Sequence, residues 1–285
     1  MTLEPFVLLS PVRRTSPVVF ASPHSGRAYD AVFGSEILLN SHTIRSSEDA
    51  FVDHLFDSVV TFGAPLLLAQ APRAYVDLNR GPDELDSALI DGVRKVIHNP
   101  RVQSGLGVIP RVVAGGRAIY RGKLSLAEAQ HRLDRYWHPY HRTLTALMDD
   151  GLRRFGTSIL IDCHSMPQEA IESVRVHGQR PDVVIGDRFG ASASAEMVDK
   201  VARAFRDAGF TVAHNTPFAG AYCTIAYGRP SRGQHAIQIE INRSLYMDEA
   251  RIEPRADFDH VKSAISQAAS AISDMGQRRG SLAAE

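Results

Sequence analysis

"VVFASPHSG" (residues 18–26) and "SILIDCHSMP" (residues 158–167) are two apolar runs, and each stops at a His-Ser pair. Short, continuous runs of this kind read as buried strands of a largely parallel sheet. Further strand candidates span 65–69, 73–77, 183–186, 211–214 and 236–241. Longer stretches with helical spacing lie between them, at 46–63, 125–156, 192–210 and 257–279. The second of these carries Leu126, Leu133, Tyr136, Trp137, Tyr140, Leu144 and Met148 on one stripe. Strands alternating with helices predict an α/β fold in three α/β/α layers, with a mixed central sheet between two helix layers. No repeat or linker interrupts the pattern, so residues 1–285 are expected to form one domain with a frayed tail from 276 onward. Ligands of such folds bind in the crevice beyond the carboxyl ends of the strands, and both His-Ser pairs fall there.

Bulk properties narrow the function. Thirty-two basic residues balance 32 acidic ones, so charge gives no case for nucleic acid or an anionic membrane as partner. There is no run of 18 apolar residues, and the opening "MTLEPFVLLSPVRR" lacks the basic start of a signal peptide. Two cysteines, Cys163 and Cys223, make no disulfide framework. The expectation is a soluble cytoplasmic protein acting on a small molecule, with its oligomeric state open.

Three sets of residues could carry chemistry. His24 and His164 end two strands, and Asp49, with Glu48 beside it, opens the helical pattern at 46. Two imidazoles and a carboxylate with one open position make a catalytic zinc arrangement. The alternative is two loop histidines bonded to backbone. "AYVDLNRGPDE" (residues 74–84) offers Asn79 and Arg80, an amide and a planar guanidinium suited to a carboxylate or a polarised carbonyl, with Arg73 just upstream. A surface ion pair, for instance of Arg73 with Asp77, is the alternative. In "HAIQIEINRSLYMDE" (residues 235–249), Gln238, Glu240 and Asn242 alternate with isoleucines. A carboxylate in such a strand is costly without a task, which makes Glu240 a candidate general base; a strand with one polar face is the alternative. Cys163 adjoins His164, but neighbours on a strand point to opposite faces, so the pair reads as a buried thiol rather than a nucleophile.

Taken together, "SPHSG", "SEDAFVDHLF", "YVDLNR", "GLGVIPRV", "PYH", "IDCHSMP", "GDRFG" and "HAIQIEINRSLYMDE", in this order, resemble the N-formylglutamate amidohydrolase family over nearly the whole chain. The resemblance implies a fold related to zinc carboxypeptidases and aspartoacylases, with an eight-stranded mixed sheet and one zinc ion. It implies His24, His164 and Asp49 as ligands, Glu48 being the other acidic candidate, and Glu240 as general base. It also implies Arg80 beside the oxyanion, and Arg73, Asn79, Arg80 and Arg243 as holders of the substrate carboxylates. Ser25 and Ser165 are expected to orient the ligand imidazoles. The implied reaction is zinc-dependent hydrolysis of N-formyl-L-glutamate to formate and L-glutamate, a step of histidine degradation; another N-acyl amino acid or small peptide is the alternative substrate. The family's Phe-x-Gly-Gly loop reads here as Phe218-Ala219-Gly220-Ala221.

Overall fold

The computed structural model describes residues 3–34, 37–94 and 99–276. Seven strands form the central sheet: β1 (Phe6–Leu9), β2 (Val18–Ser22), β3 (Leu66–Ala69), β4 (Ser158–Met166), β5 (Val183–Gly186), β6 (Val212–His214) and β7 (Gln234–Asn242). Their order is β1-β3-β2-β4-β7-β5-β6. Strands β3, β2, β4 and β7 run parallel to one another, while β1 and β5 pair antiparallel with β3 and β7. The fold is therefore α/β with a mixed sheet.

The two runs that opened the sequence are the centre of that sheet. Every residue of β2, β4 and β7 is buried, as expected of strands covered on both faces. Period-2 alternation divides their side chains between two cores. Phe20, Ile161, Cys163, Ile237, Ile239 and Ile241 face one side, packed under α3 (Ala195–Asp207) and α4 (Phe258–Ser273). Val19, Ala21, Leu160 and Ala236 face the other, under α1 (Leu126–Arg132) and α2 (His138–Phe155). Asp162, His164, Gln238 and Glu240 share the parity of Leu160 and Ala236. They lie on that second face, beyond the helices that cover it.

The structure corrects several expectations. The candidate strand at 73–77 is a turn, in which Tyr75 and Val76 both donate to the Pro72 carbonyl. That winding brings Arg73 and Asp77 close enough for an i,i+4 ion pair, whereas an extended strand would hold them about 13 Å apart. The sheet instead gains the edge strand β1, and it has seven strands among the described residues rather than eight. The helical pattern at 46–63 is broken into two 3-10 turns and one short α-turn around a left-handed Phe51 (φ 65°). Between α1 and α2 the chain winds as a π-turn over Leu133–Trp137. Pro139 follows one residue later, after His138; it lacks an N–H and clashes with the carbonyl four residues back, which the wider turn relieves. The expected frayed tail, apart from Gly276, lies outside the described residues.

Candidate metal and active site

Backbone bonds bring the acidic candidate to the first histidine. The Asp49 N–H donates to the His24 carbonyl at 3.0 Å, which takes Asp49 out of any helix. Gly26 lets the His24 loop lie against the sheet edge, because a Cβ there would overlap the Ala71 carbonyl. His164 sits inside β4, directly beside Glu240 in the register with β7.

The ligand-type atoms of His24, Asp49 and His164 all lie within 4.8 Å of one another, and all three residues are buried. Asp49 Oδ2 is 2.9 Å from His164 Nδ1 and 3.4 Å from His24 Nδ1. The two rings meet edge to face with centroids 4.6 Å apart. Both Nε2 atoms face a second carboxylate: His24 Nε2 donates to Asp77 Oδ1 at 2.7 Å, and His164 Nε2 is 3.0 Å from Asp162 Oδ2. His164 Nδ1 shares a hydrogen bond with Asp49 Oδ2; were both rings protonated on Nε2 alone, both Nδ1 lone pairs would turn toward Asp49. His24 Nδ1 is buried with no hydrogen-bond partner. An orphaned imidazole nitrogen beside a second one and a carboxylate is what a metal ion would satisfy.

Electrostatics point the same way. Burial pushes the Asp49 carboxyl up, but hydrogen bonds and charge from His164 and His24 overrule it and hold Asp49 well below the usual carboxylate range. Asp77 is likewise held low against its burial by His24, Arg73 and Arg80. Burial would neutralise His164, yet Asp162 and Asp49 raise it well above its ordinary value. The cluster holds positive charge, whether as protons or as a metal. Glu240 differs: burial pushes it up to about 7, and its Oε1 accepts a hydrogen bond from Gln238 Nε2 at 2.8 Å.

The expected residues converge on one cleft of about 640 Å³, lined among others by His24, Asp49, Arg80, His164, Glu240 and Arg243. Their bonds separate their roles. Glu48 is engaged bidentately by Arg45 at 2.8 and 3.1 Å, so Asp49 alone turns to the histidines. Arg73 donates to Asp77 at 3.0 Å, and Arg243 donates to Asp49 at 2.9 Å; both guanidiniums are tied to carboxylates of the cluster. Asn79 Nδ2 donates to Asp162 at 3.0 Å, and its Oδ1 accepts from the Cys223 N–H at 2.8 Å. Among the described residues Arg80 donates to the carbonyls of Leu106 and Asn79, through Nε and Nη1. Among the described residues no hydrogen bond joins Ser25 or Ser165 to the imidazoles: Ser25 accepts from Ser22, and Ser165 from Arg243. Cys163 faces the opposite core, where burial raises its thiol well above the ordinary value.

Sequence reasoning left Asp77, Asp162, Gln238 and Arg101 without a role. Asp162 had a legible signal, since residues two apart on a strand share a face and it precedes His164 by two. Gln238 precedes Glu240 in the same way. Asp77 had none, because its turn reads as a strand. Behind the site, Trp137 Nε1 donates to the Arg80 carbonyl at 2.9 Å and His141 Nε2 donates to the Leu78 carbonyl at 2.9 Å, so an aromatic layer grips both sides of Asn79.

The family model described as N-formylglutamate amidohydrolase matches residues 16–247. An N-formylglutamate deformylase of Pseudomonas putida is 30% identical over 240 residues, 82% of each chain. Its namesake in Pseudomonas aeruginosa is 28% identical, over 90% of this chain and 92% of that one. The crystal structure of N-formylglutamate amidohydrolase from Ralstonia eutropha JMP134 superposes with a TM-score of 0.90 at 35% identity, covering 98% of this chain and all of the other.

Proposed function

The chain belongs to the N-formylglutamate amidohydrolase family and is an amide hydrolase, and from that premise we propose that it cleaves N-formyl-L-glutamate to formate and L-glutamate using one zinc ion. The carrying observation is the convergence of His24 Nδ1, His164 Nδ1 and Asp49 Oδ2 beside the Glu240 carboxyl, which accepts from Gln238 and has no ion pair among the described residues. These three residues would hold the ion through two nitrogens and an oxygen, a donor set suited to zinc. When bound, zinc supplies Lewis-acid activation, lowering the pKa of a water from about 16 to roughly 7.

The protein's own groups do the rest. Glu240 takes the proton from the attacking water and returns it to the leaving amine nitrogen. Its perturbed acidity suits both transfers near neutral pH. Arg80 lines the cleft, with no hydrogen bond on Nη2 among the described residues; it holds the α-carboxylate beside the scissile amide and adds positive charge where the oxyanion develops. Arg73 and Arg243 hold Asp77 and Asp49 in place and lend positive charge to the same substrate, while Asn79 fixes Asp162 behind His164. The whole chain acts as one catalytic domain. Two buried free cysteines support a cytoplasmic setting, and among the described residues no helix is long and apolar enough to cross a membrane. The reaction would close a histidine-degradation route.

The test is formate release from N-formyl-L-glutamate, beside N-acetyl-L-glutamate and N-formyl-L-aspartate, with and without chelator and added zinc. Formate from the first substrate only, lost with chelator and restored by zinc, is the expected result. Metal-dependent turnover of a different substrate alone would overturn the substrate. Turnover insensitive to chelation would overturn the metal.

A further inference from the structure

We propose that Arg101 is a specificity-determining residue that binds the side-chain carboxylate of the substrate, so that the cleft selects N-acyl amino acids carrying two carboxylates; this rests on the amidohydrolase reading above. The argument begins with charge. Four carboxylates, Asp49, Asp77, Asp162 and Glu240, stand in the cleft wall or directly behind it, with four guanidiniums, Arg73, Arg80, Arg101 and Arg243. They cancel. A divalent ion on neutral imidazoles therefore leaves a surplus of two positive charges, the complement of a dianion.

The surplus is localised. Arg73 and Arg243 pair with Asp77 and Asp49. Arg80 and Arg101 have no ion pair among the described residues, and both line the cleft. Arg80 is largely buried beside Asn79, which touches the His164 ring nitrogen at 3.0 Å. Arg101 is exposed on the cleft wall. The α-carboxylate adjoins the scissile amide and falls to the inner cation; the side-chain carboxylate of glutamate lies two bonds further away and falls to the outer one.

Arg101 is also well placed to act as a fixed receptor. Its N–H donates to Asn99 Oδ1 at 3.1 Å, and its carbonyl accepts from the Leu106 N–H at 2.8 Å. The Leu106 carbonyl in turn receives Arg80 Nε at 3.1 Å, so one short loop carries the Arg101 backbone and contacts the Arg80 guanidinium. The nearby Glu84 carboxylate is occupied by the Gly81 N–H and the Asn99 amide. Partial burial and then the charge of Arg80 push Arg101 below its ordinary value, against the opposing charges of Glu84 and Asp77. A bound carboxylate would relieve that repulsion.

The experiment measures two preferences in wild type, Arg101→Gln, Arg101→Lys and Arg101→Glu. One is the ratio of kcat/KM for N-formyl-L-glutamate over N-formyl-L-glutamine. The other is the calorimetric affinity ratio of L-glutamate over L-glutamine for the zinc-loaded protein. Arg101→Gln should reduce both ratios by about 10- to 100-fold. Arg101→Glu should reduce them further, and Arg101→Lys should restore part of the loss. Unchanged ratios in Arg101→Gln, or no preference for glutamate in wild type, would overturn the assignment. The binding arm separates the two readings: a wild type that prefers glutamate, loses that preference in Arg101→Gln and yet releases no formate would sink the deformylase reading and keep the subsite.

Discussion

Two buried histidines stand on either side of Asn79, in surroundings that could hardly differ more. His164 lies among carboxylates, with Asp49 and Asp162 within 3.0 Å of its ring nitrogens. His141 lies in an aromatic box of Trp137, Tyr222 and Tyr227, donating to the Leu78 carbonyl and bonded to the Tyr227 hydroxyl. Burial alone pushes both toward neutrality. It wins at His141, which falls to about 4, and loses to Asp162 and Asp49 at His164, which rises. Burial depth does not decide what a histidine is for; the charge of its neighbours does. One ring sits where carboxylates favour positive charge, the other holds backbone in place.

The sharpest way to test the charged side is Glu240→Gln, which removes a carboxylate while keeping shape. Formate release should fall by about 10²- to 10⁴-fold while the zinc content stays near one per chain. Loss of the metal together with activity would mean that Glu240 belongs to the ligand set instead. The aromatic side is tested through stability. The unfolded-state His141 takes up a proton near pH 6.5, but the folded one only near pH 4. Below 6.5 the unfolded chain therefore binds more protons, and stability present above that pH is lost on acidification, by about 3 kcal/mol at pH 4. In urea unfolding, the wild type should lose this much more than His141→Gln between pH 7 and pH 4. Parallel curves would place the proton elsewhere.

Asp162→Asn is a smaller change behind the charged ring. It should weaken zinc binding by about 10- to 100-fold in chelator competition, because the imidazole loses the carboxylate that orients it. An unaltered affinity would mean that Asn79 alone fixes the ring. The smallest expected effect is Trp137→Phe, which removes one hydrogen bond to the Arg80 carbonyl. It should cost about 1 kcal/mol, read chiefly as a higher KM for N-formyl-L-glutamate. A drop confined to kcat would place the aromatic layer's influence on the reacting centre rather than on the substrate's anchor.

What the sequence revealed followed from periodicity. β2 and β5 fall where apolar continuity puts them, and the alternation in β7 is the reason Glu240 shares a face with His164. Failures came where a tertiary contact outbid local preference. Residues 46–63 have helical spacing, yet the bond from Asp49 N–H to His24 and the reversed backbone at Phe51 break the helix so that a carboxylate can reach two imidazoles. Residues 73–77 look extended, yet they coil to present Arg73 and Asp77 together. The candidate metal-binding residues stood out in the sequence as strand-end histidines and an acidic helix start, although His164 lies inside β4 and Asp49 outside any helix. Their supporting carboxylates were legible only where strand parity exposed them. The distinction between committed and free arginines needed three dimensions, because a sequence does not show which guanidinium already has a carboxylate.

His164 and Glu240 face each other across one rung of the β4–β7 ladder. Their separation is thus inherited from the spacing between neighbouring strands rather than tuned by any loop. The loops around the cleft are free to drift, lengthen and try new substrates while the spacing of the chemical pair stays fixed. That freedom has a hard limit. Losing a single residue upstream in either strand would turn the pair to opposite sides of the sheet and drive polar groups of that strand into the apolar core, so the chemistry and the packing would fail together.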